Sequence, residues 1–116
     1  MRKIEQRLAY AWNNGIATHI SNSAVLVDGR GVYLTLFGNV IAYRNNNQEV
    51  FFTLAGWNST TTRSRLKNVL GLRVFQKAYA PFFESQEIEA GKWYPVIPNG
   101  ANGFVYALPL APYINS

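Results

Sequence analysis

The sequence has no cysteine, one histidine (His19) and one aspartate (Asp28). The lack of cysteine excludes disulfides, iron–sulfur clusters and thiolate zinc sites, and a single histidine excludes metal sites built on two. No apolar run approaches the roughly 20 residues that a membrane helix needs. The basic residues 1–7 are not followed by the apolar stretch of a signal peptide. We therefore expect one soluble, cytoplasmic domain with no metal and no cofactor.

Groups suited to catalysis are scarce. A Ser–His–Asp arrangement would need His19 and Asp28 to meet a serine, and no nucleophile elbow is present. The three glutamates between residues 84 and 89 are typical of solvated loop charges. There is no Walker loop, dinucleotide fingerprint or zinc spacing. We predict no catalytic residue, and an enzyme would need carboxylates such as Glu49 or Glu84 to converge in a pocket.

Positive charge is concentrated in one part of the chain. The formal net charge is +5, and residues 50–83 contain no acid, whereas the bases and acids of the remainder cancel. The five bases of this stretch are Arg63, Arg65, Lys67, Arg73 and Lys77. Such a distribution favours an anionic partner, nucleic acid or an acidic protein surface. The alternative is an ordinary solvated helix face.

Two helices are predicted. Residues 3–14 place apolar side chains on one face, and Asn13-Asn14-Gly15 ends the helix. The second helix lies within residues 56–71, where Gly71 is the expected C-terminal cap and the buried stripe is Leu66, Val69 and Leu70. Any of the residues Asn58, Ser59, Thr60 and Thr61 can cap its start. Trp57 is predicted to pack at the corner before this helix.

The remaining segments read as strands. Residues 24–27, 32–37, 40–44 and 49–54 predict a four-stranded antiparallel meander, with a hairpin at Gly38-Asn39. Residues 72–77, 80–84 and 92–96 are predicted to pair with one another. The fold class is α+β, an antiparallel sheet with both helices packed on one face. Residues 1–95 form the domain, and the uncharged, proline-rich tail 96–116 is expected to dock on it or on a neighbouring copy.

Aromatic residues are abundant, with seven phenylalanines, seven tyrosines and three tryptophans. The strand pattern predicts that one face of the sheet carries rings with Arg44 at its edge, and the rings are Tyr33, Phe37, Tyr43 and Phe51. If they are exposed, such rings stack on the nucleobases of single-stranded nucleic acid, while nearby Arg and Lys side chains hold the phosphates. The alternative is that they belong to the core.

Three motifs give a resemblance. Residues 38–42 read Gly-Asn-Val-Ile-Ala, residues 56–66 read Gly-Trp-Asn-Ser-Thr-Thr-Thr-Arg-Ser-Arg-Leu, and residues 71–77 read Gly-Leu-Arg-Val-Phe-Gln-Lys. In this order they resemble a family of small tailed-phage proteins, in which asparagine is usual at the position of Lys67. The resemblance implies a phage origin and brings no activity with it.

The leading prediction is a non-enzymatic phage accessory protein in the host cytoplasm. It binds nucleic acid through the central helix, with Arg63, Arg65 and Lys67 as contact residues and Arg73, Lys77 and Arg44 beside them. The alternative is a protein–protein module, either a host-directed inhibitor or a minor virion component, that uses its C-terminal tail as an assembly arm and to form homo-oligomers.

Overall fold

The computed structural model describes residues 3–96, so the predicted tail lies outside the described residues apart from Val96. The helices are α1 (Lys3–Asn14) and α2 (Thr60–Leu70). The strands are β1 (Thr18–Ile20), β2 (Ser23–Asp28), β3 (Gly31–Leu36), β4 (Asn39–Asn45), β5 (Val50–Phe52), β6 (Val74–Lys77), β7 (Ala80–Phe83), β8 (Gln86–Glu87) and β9 (Tyr94–Val96). The α+β prediction is confirmed.

The larger sheet has six antiparallel strands in the order β1-β2-β3-β4-β5-β9. Its centre, from β2 to β5, is the predicted meander. Strand β1 is not among the strands predicted from the sequence. A bulge sits where Leu34 pairs with Ala42 and Thr35 pairs with Val40, which leaves Ile41 as the extra residue.

The smaller sheet is β6-β7-β8. The predicted pairing of residues 72–77 with 80–84 is confirmed, although β6 begins at Val74. The predicted pairing of residues 92–96 with them is wrong, because β9 pairs with β5 through Val50 and Val96. This strand therefore closes the edge of the larger sheet instead.

Both helices cover the same face of the six-stranded sheet. Leu8 and Trp12 of α1 and Leu66 of α2 meet Leu34 and Phe52 of the sheet in one buried core. The smaller sheet completes this core with Val74, Phe83 and the following Ile88. Because the apolar faces of the helices and of the sheet are buried against each other in this core, the helices are fixed against the sheet.

The ends of α2 follow the expected capping chemistry. Ser59, one of the four candidates, accepts a hydrogen bond from the backbone N–H of Thr62 at 3.1 Å. Gly71 has φ 78°, the left-handed conformation of a C-terminal cap. Its N–H donates to the carbonyl of Lys67 at 2.9 Å, and the N–H of Leu72 donates to that of Leu66 at 3.2 Å. Both ends of α2 are therefore set by local residues.

Three tight turns have positive φ at both central residues, which is the type I′ pattern. The central pairs are Phe37-Gly38 (φ 51° and 81°), Ala55-Gly56 (φ 55° and 85°) and Ala78-Tyr79 (φ 51° and 67°). The first joins β3 to β4, since Leu36 pairs with Asn39. The predicted hairpin thus turns one residue earlier than Gly38-Asn39, and Phe37 occupies a position that favours glycine or asparagine.

Candidate nucleic-acid interface

Arg65 lies inside the protein, with 3% of its surface exposed. Its Nη1 donates to Glu5 Oε2 at 2.8 Å, and its Nε donates to Ser23 Oγ at 2.9 Å. Its Nη2 donates to Asn22 Oδ1 at 3.1 Å. The guanidinium group therefore joins α2 to α1 and to the turn before β2. Arg65, predicted from the sequence to be a contact residue, is therefore not on the exposed face of α2.

Glu5 is fully buried, and its carboxylate is saturated with donors. Besides Arg65, it accepts hydrogen bonds from Ser64 Oγ at 2.7 Å and from Asn68 Nδ2 at 2.9 Å. Burial alone would raise the pKa of Glu5, but the hydrogen bonds from Ser64, Arg65 and Asn68 outweigh it, so the pKa is lowered. Glu5 is thus held as a carboxylate between the two helices.

Arg44 is also used within the fold. Its Nη2 donates to the carbonyl oxygen of Trp12 at 2.7 Å, and the guanidinium carbon lies 4.8 Å from the centre of the Trp12 ring. Burial lowers the pKa of Arg44. Arg44 therefore anchors the end of α1 to β4 and does not stand at the edge of an exposed aromatic face.

The other four predicted bases reach the surface. Arg63 is half-buried, whereas Lys67, Arg73 and Lys77 are exposed. The side-chain ammonium groups of Lys67 and Lys77 form no hydrogen bond or ion pair with any residue of the described range. Both ammonium groups are therefore available to an anionic ligand.

Asn58 connects the start of α2 to β6. Its Oδ1 accepts a hydrogen bond from Arg63 Nη1, and its Nδ2 donates to Gln76 Oε1 at 3.2 Å. Arg63 Nη2 also lies 3.4 Å from Thr60 Oγ1. This link ties the start of α2 to β6, while Lys77, the next residue of the strand, points to the opposite face of β6 from Gln76.

The outer face of the smaller sheet combines aromatic and charged side chains. Phe75 and Phe82 stack with their ring centres 5.6 Å apart, and both are half-buried. The guanidinium of Arg73 lies 4.9 Å from the centre of the Phe75 ring and 3.8 Å from a carboxylate oxygen of Glu84. At the tip of the β6–β7 hairpin, the Tyr79 side chain is 92% exposed.

The predicted aromatic face of the larger sheet exists but is not exposed. Tyr33, Tyr43 and Phe51 stack in a row with ring centres 5.0 and 6.3 Å apart, and they are buried together with Trp93. Burial raises the pKa of Tyr33 and Tyr43. Phe37 is not among them. The alternative interpretation, that these rings belong to the core, is the correct one.

A cleft of about 530 Å³ separates the β3–β4 hairpin from the start of α2. Its floor consists of the buried side chains of Leu36, Ile41 and Leu54. Phe37 and Trp57 stand at its two sides, 70% and 65% exposed. The prediction that Trp57 packs into the corner before α2 is therefore wrong. Sequence reasoning missed this cleft, because its walls come from two turns that are distant in sequence and have Phe37 and Ala55, not glycine or asparagine, at the first central position.

The polar part of the cleft is uncharged. Asn39, Ser59, Thr61 and Thr62 contribute amide and hydroxyl groups, and no acidic or basic side chain is among its lining residues in the described part of the chain. Ser59 Oγ is occupied by the cap and by Thr62 Oγ1 at 2.8 Å. The side chains of Asn39 and Thr61 have no partner among residues 3–96.

Other kinds of site find little support between residues 3 and 96. This range holds no group of three or more His, Asp and Glu side chains placed to bind a metal ion. Neither α1 nor α2 has the length and apolarity needed to cross a membrane. The candidate surfaces are therefore the basic residues and the cleft.

The family model described as Kyanoviridae Gp96 protein matches residues 1–101 of the chain. The chain belongs to the Kyanoviridae Gp96 protein family. This membership confirms that the chain is a phage protein, as the motifs of residues 38–77 implied. No curated protein and no solved structure matches the chain. In this chain, the motifs of residues 38–42 and 56–66 supply the hairpin and the helix start that form the two sides of the cleft.

Proposed function

We propose that this phage protein is a non-enzymatic accessory protein that binds nucleic acid through the surface formed by α2 and β6. The contact residues are Arg63, Lys67, Arg73 and Lys77. Arg65 and Arg44, which the sequence analysis included, have no part in the proposal because the fold uses their guanidinium groups. The expected site of action is the host cytoplasm.

The observation that carries the proposal is the surplus of surface bases over acids on these two elements. Four of the five bases in residues 50–83 reach the surface, and the stretch contains no acid. The carboxylate paired with one of them belongs to Glu84, at a long 3.8 Å from Arg73. Phosphates attract such a surface because binding releases the counterions condensed on the nucleic acid.

Removing charges from this surface tests the proposal. Lys67→Gln combined with Lys77→Gln is the variant of choice, because neither side chain supports the fold. Lys3→Gln combined with Arg7→Gln is the matched control, since both residues are exposed on α1 and the change in charge is the same. Affinity is measured by fluorescence anisotropy with a labelled single-stranded oligonucleotide across a salt series.

The slope of log affinity against log salt concentration distinguishes direct contact of these lysines with phosphates from a general effect of the protein's net charge. Each phosphate contact to a single strand contributes about 0.7 to the slope. We expect the Lys67/Lys77 variant to lose about 1.4 from the slope and the Lys3/Arg7 control to change little. Equal changes in both variants, or no binding by the unaltered protein at low salt, would refute the proposal.

The alternative is a protein–protein module, a host-directed inhibitor or a minor virion component. What favours it is the set of exposed rings on three separate turns, Phe37, Trp57 and Tyr79, because aromatic residues are enriched in protein interfaces. Capture of a host or phage protein from nuclease-treated infected cells, abolished by truncation after Val96, would support this function. If nuclease treatment abolishes the capture, the two proteins are tethered by nucleic acid, and the result supports nucleic-acid binding instead.

A further inference from the structure

The Phe37 side chain is in an unfavourable place for stability alone. It has φ 51°, a conformation that costs a bulky residue energy, and its ring is 70% exposed, so little burial offsets that cost. Asparagine or glycine would make the same type I′ turn with less strain. A strained residue that presents an exposed ring to a cleft points to a contact with a ligand.

Trp57 presents a second ring on the opposite side of the same cleft. It follows the type I′ turn at Ala55-Gly56, and its N–H donates to the carbonyl of Leu54 at 2.9 Å. The next residue, Asn58, is the one that binds Arg63 and Gln76. The ring at this side of the cleft is therefore adjacent in the chain to the residue that links Arg63 of α2 to Gln76 of β6.

We propose that the cleft between Phe37 and Trp57 receives a base of single-stranded nucleic acid, which stacks on the Trp57 ring while Arg63 contacts a flanking phosphate. This inference rests on the proposed function and adds the site at which a base is held. Stacking on aromatic side chains next to a basic groove is how single strands are bound without sequence preference.

The cleft itself favours a base over an apolar peptide. Its volume of about 530 Å³ lies within the range of small-ligand pockets and leaves room for one nucleotide. No acidic residue among its described lining would repel a phosphate. Asn39 and Thr61 bring an amide and a hydroxyl that are free to hydrogen-bond the edge of a base, whereas an apolar segment would leave them unpaired.

Trp57 provides a direct signal for the test. The chain has three tryptophans, and the other two, Trp12 and Trp93, are buried. Quenching by a ligand from solution will therefore report mainly on Trp57. The probe is an unlabelled oligothymidylate of about 12 nucleotides, a length within the site size of small single-strand binders. We expect its binding to quench the tryptophan emission in parallel with the anisotropy change of a labelled copy.

Substitutions separate stacking from charge. Trp57→Ala is expected to weaken binding about 5- to 150-fold, the usual value of one stacked base, and Trp57→Phe should retain most of the affinity. Tyr10→Ala is the matched control, because this ring is 66% exposed on α1, away from the cleft. Thermal unfolding of each variant verifies that the fold is intact.

Each outcome has a distinct meaning. Quenching together with a loss confined to Trp57→Ala supports the inference. If the unaltered protein binds no oligonucleotide, the proposed function fails and the inference fails with it. If it binds while Trp57 is not quenched, or if Trp57→Ala behaves like Tyr10→Ala, the inference alone is overturned. A red shift of Trp57 emission after truncation beyond Val96, without nucleic acid, also overturns it, since the tail would then occupy the cleft.

Discussion

Replacing Arg65 by methionine tests the most consequential difference between the sequence pattern and the structure. Methionine keeps the length and apolar stem of the side chain and removes the charge. If Arg65 bordered an exposed face, the free energy of unfolding would change by no more than about 0.5 kcal/mol. In the structure, the substitution leaves Glu5 buried without its cationic partner.

The expected cost follows from that uncompensated carboxylate. Removing one partner of a buried ion pair destabilises a protein by about 3–5 kcal/mol. Ser64 and Asn68 continue to donate to Glu5, so we expect a value near the lower end, about 3 kcal/mol. Urea unfolding at neutral pH, followed by circular dichroism, gives the difference from the shift of the midpoint.

A second variant isolates the pair. Glu5→Met combined with Arg65→Met removes both charges, and we expect it to recover at least half of the loss, because no buried charge remains. The recovery is incomplete, since four side chains each lose a hydrogen-bond partner, namely Asn22, Ser23, Ser64 and Asn68. Lys67→Met is the control for removing a base from α2, and it should be close to neutral.

The pH dependence gives an independent check. The pKa of Glu5 is lowered in the folded protein, so the stability it contributes is present above its ordinary value of 4.5 and is lost as the pH falls through the folded value. In Arg65→Met, fewer hydrogen bonds compensate for the burial of the Glu5 carboxylate. Protonation of Glu5 removes the buried charge and with it the cost in stability. The difference between the two proteins should therefore narrow as the pH falls below 4.5. A difference below about 1 kcal/mol at neutral pH would refute the buried pair.

Two further predictions concern turns. Phe37→Asn should raise the free energy of unfolding by about 1 kcal/mol, because asparagine tolerates the positive φ. The same substitution should weaken oligonucleotide binding. A loss of stability in urea unfolding would contradict the strain at this position. Gly31→Ala should cost at least about 2 kcal/mol, because φ is 149° and an added Cβ would lie 2.0 Å from the carbonyl oxygen of Arg44. Gly29→Ala, where no atom lies within 4 Å of the added Cβ, is its control and should be nearly neutral in the same assay.

The parts of the fold that depend on local chemistry could be predicted. Helix α1 coincides with the predicted residues 3–14, and the caps Ser59 and Gly71 were among the expected residues. Alternation of side chains located β3 and β5, since a pleated strand shows its two faces in the sequence. The short apolar run of residues 24–27 and the hairpin signal before residue 40 located β2 and β4. Strand β1 was missed because three residues, Thr18–Ile20, are too few to show a period.

The parts that depend on distant contacts could not be predicted. Nothing near Arg65 indicates that Glu5, 60 residues earlier, will draw it inward. The pairing of β9 with β5 depends on residues more than 40 positions apart in sequence. At the cleft, the positive φ of Phe37 and the exposure of Trp57 follow from turns that lack the expected asparagine or glycine at the first central position, so the sequence places neither ring correctly.

The buried row of Tyr33, Tyr43 and Phe51 has a consequence for how the protein is made. Trp93 and strand β9, which complete that side of the sheet, are the last parts of the described chain to be synthesised. Until they arrive, a nascent chain that has already paired β2 to β5 carries an uncovered aromatic surface and an unpaired strand edge. Such surfaces are where partly folded chains associate with each other. Trp93 and β9 therefore limit the time during which newly made chains can associate through this surface.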